Sequence, residues 1–190
     1  YFLAVDKTDK IEIPISSLVM PKEIKFQKGS YIEIDGLYYA YFMIPSDGYK
    51  SQVAAGWLSL LVNAGEGIDV DIFLNKEPKD KAQFRLGQQI RINRSKMKET
   101  SDTNTDFDEI DRAIRSGYYL KEGLANNQDF YYMNILITIT ADSVEELEWR
   151  SNEMKKLMVS QDLQMKPCYF RQEQAFLSTL PLNKMEKGLY

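Results

Sequence analysis

Two carboxylates one residue apart, Asp69 and Asp71 in Ile68-Asp69-Val70-Asp71-Ile72, come closest in this sequence to a reactive arrangement. Alternate side chains of an extended chain share a face, so both carboxylates project together while Ile68, Val70 and Ile72 project the other way. Magnesium-dependent nucleases hold their ions with such a pair, joined by further acids and a lysine. An acidic pair on the solvent face of a strand has the same spelling, and both readings stand at this level. Other chemistry is narrower. The sequence has no histidine, which removes Ser-His-Asp and Cys-His nucleophilic sites, the commonest general base and every histidine-bound metal. Its single cysteine, Cys168, permits no internal disulfide and no cysteine-built zinc site, and it reads as strand packing in a reducing compartment.

Nucleotide chemistry finds no anchor either. A phosphate-binding loop needs glycines around a turn followed by Lys-Ser/Thr at a helix start, and no GxxxxGK[ST] occurs. Gly65-Glu66-Gly67 follows a helical pattern and precedes a strand, the reverse order, and Glu66 would repel phosphate, so it reads as a helix stop. Glu145, Glu146 and Glu148 fall in the first turns of a helix, where the dipole favours negative charge. The net charge of -4 argues against general polyanion binding. Asp35–Ile44 (DGLYYAYFMI) resembles the aromatic strand on which RNA-recognition sheets stack bases, which keeps a single-stranded nucleic-acid module as the alternative function. It departs from that pattern where Asp35 replaces the basic residue, and where Tyr38 and Ala40 alternate with Leu37, Tyr39 and Tyr41.

These groups must be positioned by a mixed α+β frame. Residues 1–30 read as an irregular β lead-in, with runs at Ile11–Ile15 and Ile24–Phe26 broken by Pro14, Pro21 and Gly29. Residues 31–75 read as a first β-α-β unit: a hairpin turning at Asp35-Gly36, a strand over Leu37–Ile44, a helix over Ser51–Asn63 capped by Ser51, and a strand over Ile68–Leu74. That helix is apolar nearly all round, so Trp57, Leu58 and Leu61 are either core or a contact face for a partner. Residues 129–190 read as a second unit: a strand over Tyr131–Thr140 with Leu136 as its one apolar exception, a helix over Ser143–Ser160 with Asp142 or Ser143 as cap, and a strand over Leu163–Phe170. Two such units predict a ferredoxin-like fold, an antiparallel sheet with helices on one face.

Residues 76–128 interrupt this frame as a helical insertion. Lys79–Lys98 and Phe107–Leu124 are helix-permissive, and the polar stretch 95–105 between them predicts a mobile loop. Charge is segregated along it. Lys79–Lys98 carries seven basic residues against Asp80, whereas Glu99–Asp111 carries six carboxylates and no basic residue. Either the two helices fold back so that these blocks neutralise each other, or Arg91, Arg94 and Lys98 meet an acidic partner or anionic lipid. No segment reaches the ~20 consecutive apolar residues that a membrane-spanning helix needs.

The strand–helix–strand of Tyr131–Phe170 leads into Gln172–Pro181, QEQAFLSTLP. With its Gln, Phe, Ser and Leu-Pro it resembles the end of the N-terminal domain of the conjugative-transfer (type IV secretion) ATPases, the VirB/TrbE/CagE family, over roughly Gly29–Tyr190. The resemblance implies a non-catalytic domain that docks a motor to inner-membrane channel proteins and to neighbouring subunits, with self-association and peripheral membrane contact among its partners. It implies a cytoplasmic place at the inner face of the bacterial membrane. It implies no cofactor in this segment, ATP and magnesium belonging to a RecA-like motor domain expected beyond Tyr190. On this view residues 1–190 are one domain of a longer protein, beginning at Tyr1 rather than Met.

Overall fold

Asp35 and Gly36 take φ angles of +50° and +86°, the left-handed geometry that a two-residue hairpin loop requires. They fold Ile32–Ile34 back onto Leu37–Ile44, pairing Ile34 with Leu37 and Ile32 with Tyr39. The computed structural model describes residues 15–16, 20–26, 29–50, 53, 55–99, 105–182, 184–186 and 189. The elements in chain order are β1 (Ile24–Lys25), β2 (Ile32–Ile34), β3 (Leu37–Ile44), α1 (Ser59–Val62), β4 (Ile68–Glu77), α2 (Lys79–Glu99), α3 (Thr105–Ala125), β5 (Phe130–Ala141), α4 (Val144–Ser160), β6 (Lys166–Pro167) and α5 (Gln172–Thr179).

The strands form one antiparallel sheet in the order β1-β2-β3-β5-β4. β6 joins it on the β3 edge that β2 vacates, pairing Phe42 with Pro167 and Met43 with Lys166. β3 and β4 both run antiparallel to the β5 between them, and β5 and β6 both run antiparallel to the β3 between them. Each β-α-β connection therefore spans a strand supplied by the other.

Two predicted elements are shorter than their sequence patterns. The helix expected over Ser51–Asn63 is only α1, because Gly56 takes φ +76° and the Ser59 N–H donates to the Gly56 carbonyl at 2.8 Å, closing a turn where a helix would run. Its expected cap, Ser51, and residues 11–14 of the β run expected over Ile11–Ile15 lie outside the described residues, and Ile15 is helical rather than extended. The strand expected over Leu163–Phe170 is only β6, since Pro167 has no N–H to donate and Phe170 turns to φ +58°. By contrast β4 outruns its pattern to Glu77, and β5 spans Phe130–Ala141.

Both faces of the sheet are covered, which corrects the expectation of helices on one face. Ala40, Phe42, Ile44, Ile135, Ile137 and Ile139 point to Leu61 of α1 and to Leu147, Met154 and Met158 of α4. Tyr41, Phe73 and Leu136 point the other way, to Ala175 of α5, Met185 and Leu189. The physical reason is Leu136, the exception to the alternation of β5, which is fully buried and needs a second layer. Each apolar side chain so buried contributes about 1.5–3 kcal/mol relative to exposure. Ser143 is the cap of α4, accepting from the Glu146 N–H at 3.1 Å, while the Glu146 carboxylate accepts from the Asp142 N–H at 3.2 Å.

The insertion is a helical arm carried by the far end of the β4–β5 ribbon, whose last pair is Glu77 and Phe130. α2 and α3 fold back on each other. A Cβ placed on Gly117 of α3 would stand 2.8 Å from Cγ1 of Ile90 on α2, so only glycine permits this approach. The loop predicted over 95–105 is mostly helix: Ser95–Glu99 complete α2 and Thr105 begins α3, and residues 100–104 lie outside the described residues. The arm is tied to the ribbon by Lys76 and Lys79 on Asp129, at 2.7 and 3.7 Å, and by the Arg85 guanidinium donating to the Tyr132 hydroxyl at 3.2 Å.

Candidate functional site

Arg91, Arg94 and Lys98 are exposed along α2. Arg91 donates to the Gly87 carbonyl of its own helix at 3.2 Å, and Arg94 reaches across to the Tyr118 hydroxyl on α3 at 3.3 Å. Among the described residues none of the three lies within ion-pair distance of a carboxylate. The helices fold back as charge neutralisation requires, yet Asp111 of the acidic block pairs within its own helix, with Arg115 at 2.8 Å. Large apolar side chains share the arm's surface. Tyr119 is 70% exposed and Phe84 63%, with Ile92, Tyr118 and Leu120 also open to solvent. Arginine beside exposed aromatic rings is the composition of energetically dominant protein–protein contacts. Phe84 and Tyr119 escaped the sequence reading, although a signal existed: consecutive Tyr118 and Tyr119 stand about 100° apart on a helix and cannot both face α2.

The apolar group on the first crossover lies elsewhere. Leu61 is 2% exposed and belongs to the core. Trp57 and Leu58 are half-buried against that same cluster, the Trp57 ring 5.3 Å from that of Tyr49. Neither of these three residues approaches the arm cations through any shared element.

Asp69 and Asp71 share the sheet face of Tyr39 and Tyr41. The register sets Tyr41, Thr138 and Asp69 side by side on three adjacent strands, with Asp71 beside Leu136 in the next inward-facing row. Together with Ile34, Phe176 and Thr179 they line a cleft of about 750 Å³ under α5. Burial, with the neighbouring charge of Asp69 adding to it, pushes the Asp71 carboxyl above the usual carboxylate range. Burial likewise holds the Tyr41 phenol well above its ordinary value. Asp35 also borders the cleft, but its Oδ1 already accepts the Lys22 and Glu23 N–H groups, each at 2.9 Å. Among the described residues no basic side chain lines this space, and no group of three or more His, Cys, Asp or Glu is disposed to hold a metal ion. Among the described residues, the lysine and additional acids of a magnesium-dependent nuclease are not assembled around this pair.

The remaining motifs are structural. Tyr41 is 2% exposed beneath α5, so its ring offers no face on which a base could stack, while Tyr39 on the same face is half-buried at the cleft. At Gly65-Glu66-Gly67 the Arg150 guanidinium donates to the Glu66 and Thr140 carbonyls at 3.1 and 3.0 Å while pairing with Glu146 at 2.8 Å, which ties the turn to β5 and α4. Cys168 is buried, and burial pushes its thiol up to about 11, away from reactivity. Gln172 of the QEQAFLSTLP segment is 3% exposed and bonds to the backbone of Tyr41 and Cys168. Ser178 of that segment donates to the Gln174 carbonyl at 2.8 Å and accepts the Glu186 N–H at 2.9 Å, and Phe176 packs on the core. Among the described residues no helix is long and apolar enough to cross a membrane. No protein-family model matches the chain, and no curated protein matches it.

Proposed function

We propose that this chain is a non-catalytic interaction domain of a conjugative-transfer (type IV secretion) ATPase, built on a ferredoxin-like frame and docking its motor to inner-membrane channel proteins and neighbouring subunits. The frame reading rests on the interleaved strand order β6-β3-β5-β4, in which each crossover encloses a strand of the other. The docking reading rests on one observation above all: the arm presents Phe84, Tyr119, Arg91 and Arg94 to solvent, whereas the sheet carries a packed layer on each face. The domain performs no chemistry of its own, and ATP and magnesium belong to the motor. Its place is the cytoplasmic face of the inner membrane, held there through protein partners.

Co-purification with the inner-membrane channel proteins of a conjugation system, in detergent, tests this. The chain should retain at least one of them, and Phe84→Ser combined with Tyr119→Ser should abolish retention while leaving the circular dichroism and melting temperature unchanged. Failure to retain any channel protein, or retention indifferent to the double variant, overturns the reading.

A further inference from the structure

β4 closes one end of the sheet, and among the described residues no strand pairs with its outer side. The opposite end is blunted by its brevity, since β1 is two residues long. β4 instead runs for ten, Ile68–Glu77, in unbroken register with β5 and without proline or bulge. The Thr140 N–H donates to the Gly67 carbonyl at 2.8 Å, which sets the alternation of the ladder. Asp69, Asp71, Phe73 and Asn75 therefore turn their backbone groups to β5, and Ile68, Val70, Ile72, Leu74 and Lys76 turn theirs to the open edge. A long, regular edge of this kind is a template for another strand unless charge, proline or a bulge spoils it.

The side chains beside these free backbone groups are apolar as far as Leu74. Ile68 and Val70 pack on the core, but on that same face Ile72 is 42% exposed and Leu74 62%. The carboxylates of the strand project from the other face, and they decide what fits the edge. A two-fold axis normal to the sheet would join two copies of β4 antiparallel with like faces continuous, which requires the axis to pass through a residue position. Among the centres that keep most of the strand paired, Val70 opposes Asp69 to Asp71, and Asp71 opposes itself. Phe73 opposes Asp69 to Glu77, and Leu74 opposes Asp71 to Glu77. Like charges directly opposite destabilise a ladder. Centred on Ile72, by contrast, Asp69 faces Asn75 and Asp71 faces Phe73, so no two carboxylates meet. The same register sets Ile72 against Ile72 and Val70 against Leu74, which covers the exposed apolar side chains of both copies. We propose that β4 pairs with β4 of a second copy of this chain about an axis at Ile72, making one continuous sheet across a homodimer. This stands independently of the docking reading, because neither Phe84 nor Tyr119 belongs to β4.

Sedimentation of the whole chain over a concentration series, with amide hydrogen exchange at low and high concentration, tests the proposal. The chain should pass from monomer to dimer, and the Val70, Ile72 and Leu74 amides should gain protection as it does. Ile72→Lys and Ile72→Glu each set a charge against its own copy on the axis. Circular dichroism should show both folded, as expected at so exposed a position, and each alone should dimerise about tenfold more weakly or worse. Mixed in equal amounts they should recover the dimer, because the introduced charges are then opposite. A chain that stays monomeric, a dimer indifferent to both variants, no recovery on mixing, or β4 amides that exchange as fast in the dimer as in the monomer each overturns the proposal. So does a monomeric chain whose β4 amides are protected by an added channel protein, which would assign the edge to a foreign strand. The sedimentation experiment contains no channel protein, so its failure leaves the docking reading untouched.

Discussion

The side-chain amide of Gln172 takes the place of a missing strand neighbour for Tyr41. Along one edge of β3, β2 pairs as far as Tyr39 and β6 begins at Phe42, so Tyr41 falls in the gap. Gln172 Oε1 accepts the Tyr41 N–H at 2.8 Å, and its Nε2 donates to the Tyr41 and Cys168 carbonyls at 3.3 and 3.0 Å. The Tyr41 carbonyl also accepts the Cys168 N–H at 2.9 Å, so the carboxamide supplies the acceptor that the gap lacks and a second donor beside Cys168, in a fully buried place, and fixes the start of α5 against the sheet. Gln172→Ala would strand the Tyr41 N–H away from water. The variant should lose about 1–3 kcal/mol of stability, measured by urea unfolding at equilibrium. Gln172→Glu keeps the acceptor but not the donor, and it should also be destabilised.

Among the described residues Arg91, Arg94 and Lys98 stand clear of carboxylates, and exposed pairs contribute only about 0–1 kcal/mol in any case. Replacing all three by Ser should leave the melting temperature nearly unchanged. Association with an acidic partner or anionic vesicles should fall, and what remains should lose its salt dependence. A clear drop in melting temperature would instead show that the three cations neutralise the block Glu99–Asp111 within the fold.

Gly117 allows α3 to close on Ile90, and a larger side chain there would push the helices apart. Gly117→Leu should open the arm at a cost of about 1–3 kcal/mol. Hydrogen exchange would locate the damage: amides of α2 and α3 lose protection, while those of β3, β5 and α4 keep theirs.

Asp71 is held above the ordinary carboxylate range, chiefly by burial. A folded-state value above the unfolded one means that protonated Asp71 favours folding. That contribution is complete below the unfolded value and is lost as pH rises through the folded one. Asp71→Asn removes the penalty of the ionised form. The variant should melt above the parent at about pH 7, and the difference should vanish by about pH 3, where the carboxyl is protonated in both states. Differential scanning calorimetry across that range reads it directly.

No glycine loop followed by Lys-Ser/Thr is present to hold a triphosphate. Isothermal titration with Mg-ATP should therefore give no saturable heat. Micromolar binding would reveal a nucleotide site of a kind with no sequence signature here.

The sequence was most legible where periodicity and turn chemistry agreed. Asp35-Gly36, the alternation of β5 and the Ser143 box each named their element, and the long polar helices of the arm differed from expectation mainly at the loop between them. It was least legible where tertiary partners overrode local pattern. The nearly all-apolar run Ser51–Asn63 reads as one long helix, but Gly56 breaks it, and among the described residues only Ser59–Val62 is helical. Leu163–Phe170 has strand composition, but Pro167 and the turn at Phe170 leave two paired residues. The pair Asp69 and Asp71 was visible from spacing alone. Its setting was not, because Tyr41 and Thr138 reach it only through strand register.

The arm leaves and re-enters the sheet at a single cross-strand pair, Glu77 and Phe130, and that placement orders how the chain assembles. Were β4 and β5 to meet first, the whole arm would have to close as a loose loop, at an entropic cost that grows with its length. A helical hairpin formed beforehand brings Glu77 and Phe130 together, after which the ribbon can zip from that pair toward Ile68 and Ile139. On this route the arm nucleates the sheet. Substitutions at Ile90 and Gly117 should then slow refolding more than they speed unfolding, whereas truncations at Met154 or Ala175 should chiefly speed unfolding. Stopped-flow kinetics showing the reverse partition would place nucleation in the sheet and α4 instead.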